Sequence, residues 1–194
     1  VFTNRTFIFY CLIASTASAG LYAYLAGSSY ILQDLYGLSK KEYGLAFAFV
    51  ASALILSTQV NRFFLKKWSM QHICMVANCL QVIVGLAMVI SLWLNYITLP
   101  MILGLTFSYL MCQGFIFPNA SAMAMGPFKV TAGTASALLG FLQMGLGALS
   151  SGLVSLFHNN TPQPMLLAMG ICAILSLALH LFKRNLKEQK KEAL

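Results

Sequence analysis

Charge is what this 194-residue sequence has least of: four acidic residues, twelve Lys and Arg, and 8% charged residues in all, where a water-soluble domain carries about a quarter. With 59% of residues hydrophobic and a mean hydropathy of +0.80, that scarcity excludes an ordinary soluble domain and makes lipid the solvent. It also excludes a nucleic-acid-binding stripe. The net charge of +8 sits in short basic runs between apolar stretches, which a membrane surface explains better. Paired cysteines are missing too. Cys11, Cys74, Cys79, Cys112 and Cys172 all lie in apolar sequence without metal-site or redox spacing, so they read as small apolar packing residues. No nucleophile stands near a base and no ligand set assembles, so neither an enzyme nor a metal or other cofactor is expected. No secretory leader is read before the first span. The chain opens on Val1 and passes through Asn4 and Arg5 straight into apolar sequence, as expected of part of a longer polypeptide.

What is abundant is apolar sequence in runs of roughly 20 residues, the length a helix needs to cross the hydrocarbon core. Six such runs predict six transmembrane helices over residues 7–27, 43–60, 70–94, 99–125, 131–157 and 165–182. The breaks between them carry their own signals. Ser39 followed by Glu42 is a capping box for the second span, Pro100 opens the fourth, Gly126-Pro127 closes it, and Pro162 with Pro164 separates the last two. In a six-span arrangement Arg5, Arg62, Lys66, Lys67, Lys129, Lys183, Arg184, Lys187, Lys190 and Lys191 fall on one side, leaving only Lys40 and Lys41 on the other. The positive-inside rule then places both termini in the cytoplasm. Residues 1–182 form the bundle and 183–194 a basic cytoplasmic tail.

Three strings resemble the C-terminal half of Bcr/CflA-type multidrug transporters, the drug/proton antiporters of the major facilitator superfamily. The first is Tyr24-Leu-Ala-Gly-Ser-Ser-Tyr-Ile-Leu-Gln-Asp-Leu-Tyr-Gly-Leu-Ser39, similar to the stretch joining the family's seventh and eighth helices. The second, Gly114-Phe-Ile-Phe-Pro-Asn-Ala-Ser-Ala-Met-Ala-Met-Gly-Pro-Phe128, lies in the fourth span. The third, Ala132-Gly-Thr-Ala-Ser-Ala-Leu-Leu-Gly-Phe-Leu-Gln-Met-Gly-Leu-Gly-Ala148, lies in the fifth. One departure is the connection at residues 61–68, which keeps the family's basic charge but is unusually aromatic. The resemblance implies an all-α six-helix bundle of two inverted three-helix repeats, half of a twelve-helix transporter in a bacterial inner membrane. It implies as partners an N-terminal six-helix half, lipid, small hydrophobic or cationic drugs, and protons. No acidic or basic residue lies inside a predicted span, so the resemblance assigns the proton-coupling carboxylate to the other half. His72, His158 and His180 lie near span ends and read as interfacial.

Within that frame the first, second, fourth and fifth spans are expected to line the substrate cavity. In the fifth, Ser136, Gly140, Gln143, Gly147 and Ser150 share a face, and Gln143 is the residue expected to meet a neighbouring helix or the cavity, because a full amide in lipid needs a partner. Gly133, Gly140, Gly147 and Gly152 read as helix-packing positions. In the fourth, Pro118 removes the hydrogen bond to the Gly114 carbonyl, predicting a hinge at Gly114 and Pro118. Tyr109, Gln113 and Phe117 share one of its faces and Asn119 lies on another; Gln113 and Asn119 suit either substrate contact or the backbone freed by the kink. In the first, Ser15, Ser18 and Tyr22 share a face, with Tyr22 a candidate ligand contact and Tyr24 and Tyr30 candidate belt residues at the interface. The third carries Gln71, Cys74, Asn78, Gln81 and Gly85 in a stripe read as packing. Ten methionines add adaptable apolar surface suited to loosely defined ligands. Two rivals remain: a half-size transporter that pairs two copies, testable by crosslinking at Cys112, and a non-transporting membrane scaffold.

Overall fold

The computed structural model describes residues 4–94, 96–128 and 131–192, with side chains as far as Lys183. Its six α-helices are α1 Arg5–Ser29, α2 Lys40–Phe64, α3 Met70–Trp93, α4 Leu99–Met125, α5 Ala132–Leu156 and α6 Gln163–Glu192, and all six contain a stretch long and apolar enough to cross a membrane. The polar breaks act as the sequence suggests. Asn4 caps α1 by accepting the Phe7 N–H at 3.1 Å. Ser39 and Glu42 form the reciprocal capping box of α2, with Ser39 N–H to Glu42 Oε2 at 2.8 Å and Glu42 N–H to Ser39 Oγ at 3.4 Å. Ser69 caps α3 through the His72 N–H.

Three boundaries differ from the sequence reading. The first span runs on past Gly27 into a π-helical turn, Tyr30–Leu35, whose wider rings lead to Gly37 at φ +71°, a left-handed conformation that glycine adopts without strain. α2 extends through Phe64, so most of the aromatic connection at residues 61–68 is helix or a tight turn. The backbone of α6 remains helical to Glu192; Lys129 and the side chains of Arg184, Lys187, Lys190 and Lys191, which the charge assignment also uses, lie outside the described residues.

Helix directions follow from the contacts. Phe7 packs on Phe128 at 5.1 Å and Gly20 faces Tyr109, so α1 and α4 run antiparallel. Phe49 stacks on Phe107 and Asn61 bonds Asn119, so α2 runs parallel to α4. Tyr22 covers Gly147 while Ala135 and Leu139 cluster with Phe7, so α5 runs parallel to α1. α1 and α4 are the central pair: α1 packs along α5 and α6, α4 along α2 and α3, and α3 meets α6. Exchanging α1, α2 and α3 for α4, α5 and α6 maps this pattern onto itself. That is the signature of two intertwined repeats inverted relative to one another, and it makes the molecule an all-α six-helix membrane bundle.

Among the described residues, the basic groups Arg5, Arg62, Lys66, Lys67 and Lys183 share one end of the bundle, where the α2–α3 turn meets the outer ends of α1 and α6. Lys40, Lys41, Asp34 and Glu42 lie at the other, beside the α1–α2 connection. Between the ends, two apolar cores are stacked along the helices, one around Phe7, Ile13 and Ile116 and one around Tyr109, Met88 and Met169.

Candidate functional site

A polar side chain inside lipid must find a partner or a wet cavity, because leaving it bare costs roughly 2–7 kcal/mol. Where each one points therefore separates structural from exposed positions. Most of the candidate cavity residues point inward. Gln113 on α4 is 2% exposed. With its amide oriented so that both ends are matched, its nitrogen donates to the Ala17 carbonyl at 3.0 Å and its oxygen accepts the Ser18 hydroxyl at 2.8 Å. In that orientation the buried Gln81 amide of α3 lies 3.5 Å from the same Gln113 amide as a packing contact and not a hydrogen bond, so α3 packs on the cross-link between α1 and α4. Tyr109 is fully buried over Gly20 and donates its hydroxyl to the Met169 carbonyl of α6 at 2.9 Å. Ser15 is equally buried, and its hydroxyl has no hydrogen-bond partner among the described residues.

The hinge region has a second cross-link. Asn119 Nδ2 donates to Asn61 Oδ1 on α2 and to the Phe115 carbonyl in its own helix, both at 2.8 Å. Its amide thus bonds the Phe115 carbonyl, one residue beyond the Gly114 carbonyl that Pro118 leaves without its helical N–H. α4 stays helical through Pro118. Gly114 lets α2 come against it so closely that an added Cβ would collide with Ser57 Oγ and lie 2.9 Å from Ser57 Cβ.

Tyr22, Phe117 and Gln143 are half-buried. Tyr22 lies across Gly147 of α5 and donates its hydroxyl to Met144 Sδ at 3.2 Å, while Ser151 Oγ donates to the Tyr22 carbonyl at 3.0 Å. Gln143, one turn before Gly147, makes no hydrogen bond to another described residue. The structure therefore brings Ser18 with Gln113, and Tyr22 with the Gly147 turn of α5, but does not gather all eight cavity candidates around one space. Of the four packing glycines, Gly147 alone meets a neighbouring helix. A Cβ at Gly133, Gly140 or Gly152 would meet nothing within 4 Å, because these positions face outward from this bundle.

Three further expectations need correction. His180, expected at the interface, is 2% exposed, with its Nδ1 3.4 Å from Asn78 Nδ2. Asn78 Oδ1 also accepts the Ser176 hydroxyl at 2.7 Å, so the stripe on α3 is a buried network joining it to α6. Its packing role was legible, but its histidine partner, a hundred residues away in sequence, was not. Tyr24 is not a belt residue: it is 2% exposed and stacked on Phe47. Cys112 is buried and is no position for crosslinking two copies.

The unpartnered surface is uneven. Within the apolar stretches, 22% of the residues of α2 and of α5 are buried, against 61% for α1. α2 leaves Gly44, Leu45, Ala48, Phe49 and Leu56 exposed, and α5 leaves Ser136, Ala137, Phe141, Met144 and Ala148 exposed. Among the described residues no group of three His, Cys, Asp or Glu side chains gathers where a metal ion would be held.

No protein-family model matches the chain. Curated relatives do. The chain is 28% identical over 182 residues to a "Bicyclomycin resistance protein homolog" of Haemophilus influenzae, covering 93% of this chain and 46% of that protein. It is 27% identical over 175 residues to an "Uncharacterized MFS-type transporter YdgK" of Bacillus subtilis, covering 89% and 42%. It is 30% identical over 157 residues to "Multidrug resistance protein D" of Escherichia coli, covering 78% and 38%. The chain thus spans less than half the length of the curated relatives it matches. The names describe transport and resistance, not catalysis.

Proposed function

We propose, from the premise that this bundle is homologous to MFS-type multidrug transporters, that it supplies one half of an alternating-access exporter of small hydrophobic or cationic compounds, driven by protons. The observation that carries the reading is the exposure of α2 and α5. In a bundle otherwise closed around α1 and α4, one helix of each inverted repeat, α2 on α4 and α5 on α1, is covered on one side only, and a second six-helix half laid against both completes the protein and encloses a cavity. Gln143, Tyr22 with Met144, and Phe117 are the groups this half offers to the cavity. They form a surface of aromatic, thioether and single-amide character that accepts lipophilic ligands by area. Ser15, Ser18, Tyr109, Gln113 and Asn119 bear on the site by fixing α1, α2 and α4 behind it, with Gly114 and Pro118 as the position where α4 yields. The close contact of Gly114 with Ser57 makes such a movement carry α2 along.

Of the four acidic residues, Asp34 and Glu42 lie at the end of the bundle beside the α1–α2 connection, and Glu188 and Glu192 follow the last apolar span in the sequence. The proton-coupling group is therefore assigned to the six-helix partner. The basic end of the bundle faces the cytoplasm, which puts both ends of the chain and its basic tail there. Reconstitution tests this reading. Liposomes holding the chain alone will show no proton movement on addition of a lipophilic cation such as tetraphenylphosphonium, whereas liposomes holding it with the first six helices of a relative will. Coupled proton movement by the chain alone would refute the half-transporter reading and support a self-paired one.

A further inference from the structure

A groove of about 590 Å³ opens between α2, α3 and α4, on the outside of the bundle. It runs from Trp68 and His72 at its mouth to Val84 and Phe107 at its inner end. Twelve residues of α3 separate His72 from Val84, about 18 Å at 1.5 Å per residue, close to the roughly 15 Å depth of one leaflet's hydrocarbon. Its wall is nearly all apolar, with Ser108 and His72 as the polar residues along it. At the mouth, Phe64 stacks on Phe115 at 5.7 Å and meets Trp68 edge-on at 5.2 Å, giving an aromatic collar at the membrane interface. In the turn between Phe64 and Trp68, Lys67 Nζ sits 5.5 Å from the Trp68 ring centre, and Lys66 Nζ lies 5.4 Å from the ring centre of the neighbouring Phe63, which does not itself line the groove. Of the four acidic residues, Asp34 and Glu42 lie at the opposite end of the bundle, and Glu188 and Glu192 follow Lys183 in the basic tail.

The inverted repeat supplies an internal comparison. The symmetry-related groove between α5, α6 and α1, about 380 Å³, is also apolar, but the connection at residues 157–164 that crosses its outer end has no Lys or Arg, where the one at residues 61–68 has three. Both grooves suit an acyl chain, whereas the cationic collar belongs to the first alone. We propose that the groove between α2, α3 and α4 is a binding site for one anionic phospholipid, with an acyl chain along α3 and its phosphate at Lys66 and Lys67. Arg62, exposed one turn before Lys66, adds to the same field. This assignment needs the helices to cross a bilayer and does not depend on what the protein transports.

Trp68 makes the site readable, because the chain has two tryptophans and Trp93, 88% exposed at the other end, is replaceable. The Trp93→Phe protein is reconstituted in phosphatidylcholine vesicles containing a small fraction of either phosphatidylglycerol or phosphatidylcholine, brominated near the carboxyl end of one acyl chain. Bromine quenches Trp68 on contact. Each basic residue near an anionic lipid is worth about 1 kcal/mol, or about fivefold in binding. Half-maximal quenching is therefore expected at a mole fraction at least about fivefold lower for phosphatidylglycerol.

Replacing both Lys66→Gln and Lys67→Gln is expected to lower that preference by about fivefold or more while leaving quenching by phosphatidylcholine unchanged, which also shows that the groove has kept its shape. Val76→Phe fills the groove and keeps the cations, and is expected to weaken quenching by both lipids and remove the preference. Equal quenching by the two lipids in the Trp93→Phe protein would overturn the proposal. So would a preference that survives Val76→Phe, which would reduce it to attraction at the surface. Displacement of brominated phosphatidylglycerol by a tenfold lower fraction of tetraphenylphosphonium would assign the groove to a drug and overturn it as well.

Discussion

The contact between Gly114 and Ser57 gives a prediction whose sign depends on the neighbouring residue. In Gly114→Ala the new Cβ would lie 2.9 Å from Ser57 Cβ, collide with Ser57 Oγ and approach the Leu54 carbonyl at 3.3 Å. The atoms opposing it sit on or next to the α2 backbone, so the helices themselves must separate. Overpacking of this kind costs about 1–3 kcal/mol, offset by about 1 kcal/mol because alanine is the better helix former, leaving a net loss of up to about 2 kcal/mol. In a Ser57→Gly background both opposing atoms are gone and only the Leu54 carbonyl remains near, so the same substitution is expected to stabilise by up to about 1 kcal/mol. The coupling between the two positions is then about 1–3 kcal/mol. The readout is thermal unfolding in detergent, followed by a maleimide dye that fluoresces as Cys11, Cys74, Cys112 and Cys172, all buried, become reactive. At about 2–4 °C per kcal/mol for a chain of this size, Gly114→Ala lowers the midpoint by up to about 8 °C alone and raises it by up to about 4 °C in the Ser57→Gly protein. Equal shifts in the two backgrounds would show that α2 and α4 do not approach at this turn.

The other perturbations follow from the same geometry. Gly133→Ala, Gly140→Ala and Gly152→Ala should each leave the melting midpoint of the isolated chain unchanged or raise it, by up to about 1 kcal/mol, whereas a drop at all three would mean that α5 packs by a different face. Asn78→Ala strips partners from Ser176 and His180 inside the bundle and should cost about 2–4 kcal/mol, seen as a midpoint at least about 4 °C lower. In a transporting assembly, Gln143→Ala should change which lipophilic cations are extruded, while Gln81→Ala, buried beside Gln113, should lower the amount of folded protein and leave the ratio between substrates intact. An unaltered substrate spectrum in Gln143→Ala would remove that residue from the cavity.

The six spans were legible because bilayer thickness fixes helix length and because caps and prolines are local signals. Ser39 and Glu42 marked the start of α2 to within a few residues, as Pro100 did for α4. The π-helical extension after Ser29 was not legible, since Tyr30–Leu35 continues an apolar pattern and differs from α-helix only in its hydrogen-bond ring. For the site, periodicity grouped residues by helix face but could not say which face a neighbour covers. Tyr109 and Gln113 thus read as open to a cavity, although α1, α3 and α6 close over them. Tyr24 and His180 were misplaced for a related reason: a position near a span end resembles an interface until packing with Phe47 or Asn78 is known. Gln143 and Gly147 sit one turn apart on α5, and only the contact with Tyr22 separates the turn that packs from the one that stays open.

The central claim is that the α5 face carrying Gln143 lies in lipid when the bundle is alone and borders water once a second half encloses it. A Gln143→Cys substitution reports this directly, because the thiolate that reacts with a water-soluble maleimide hardly forms in an apolar surrounding. With the half-buried Cys79 replaced by alanine to lower the background, labelling at position 143 is predicted to be slow in the chain alone. It should become fast when the six-helix partner is present, and slow again on adding a transported lipophilic cation. Labelling at one unchanging rate in all three conditions would contradict the account.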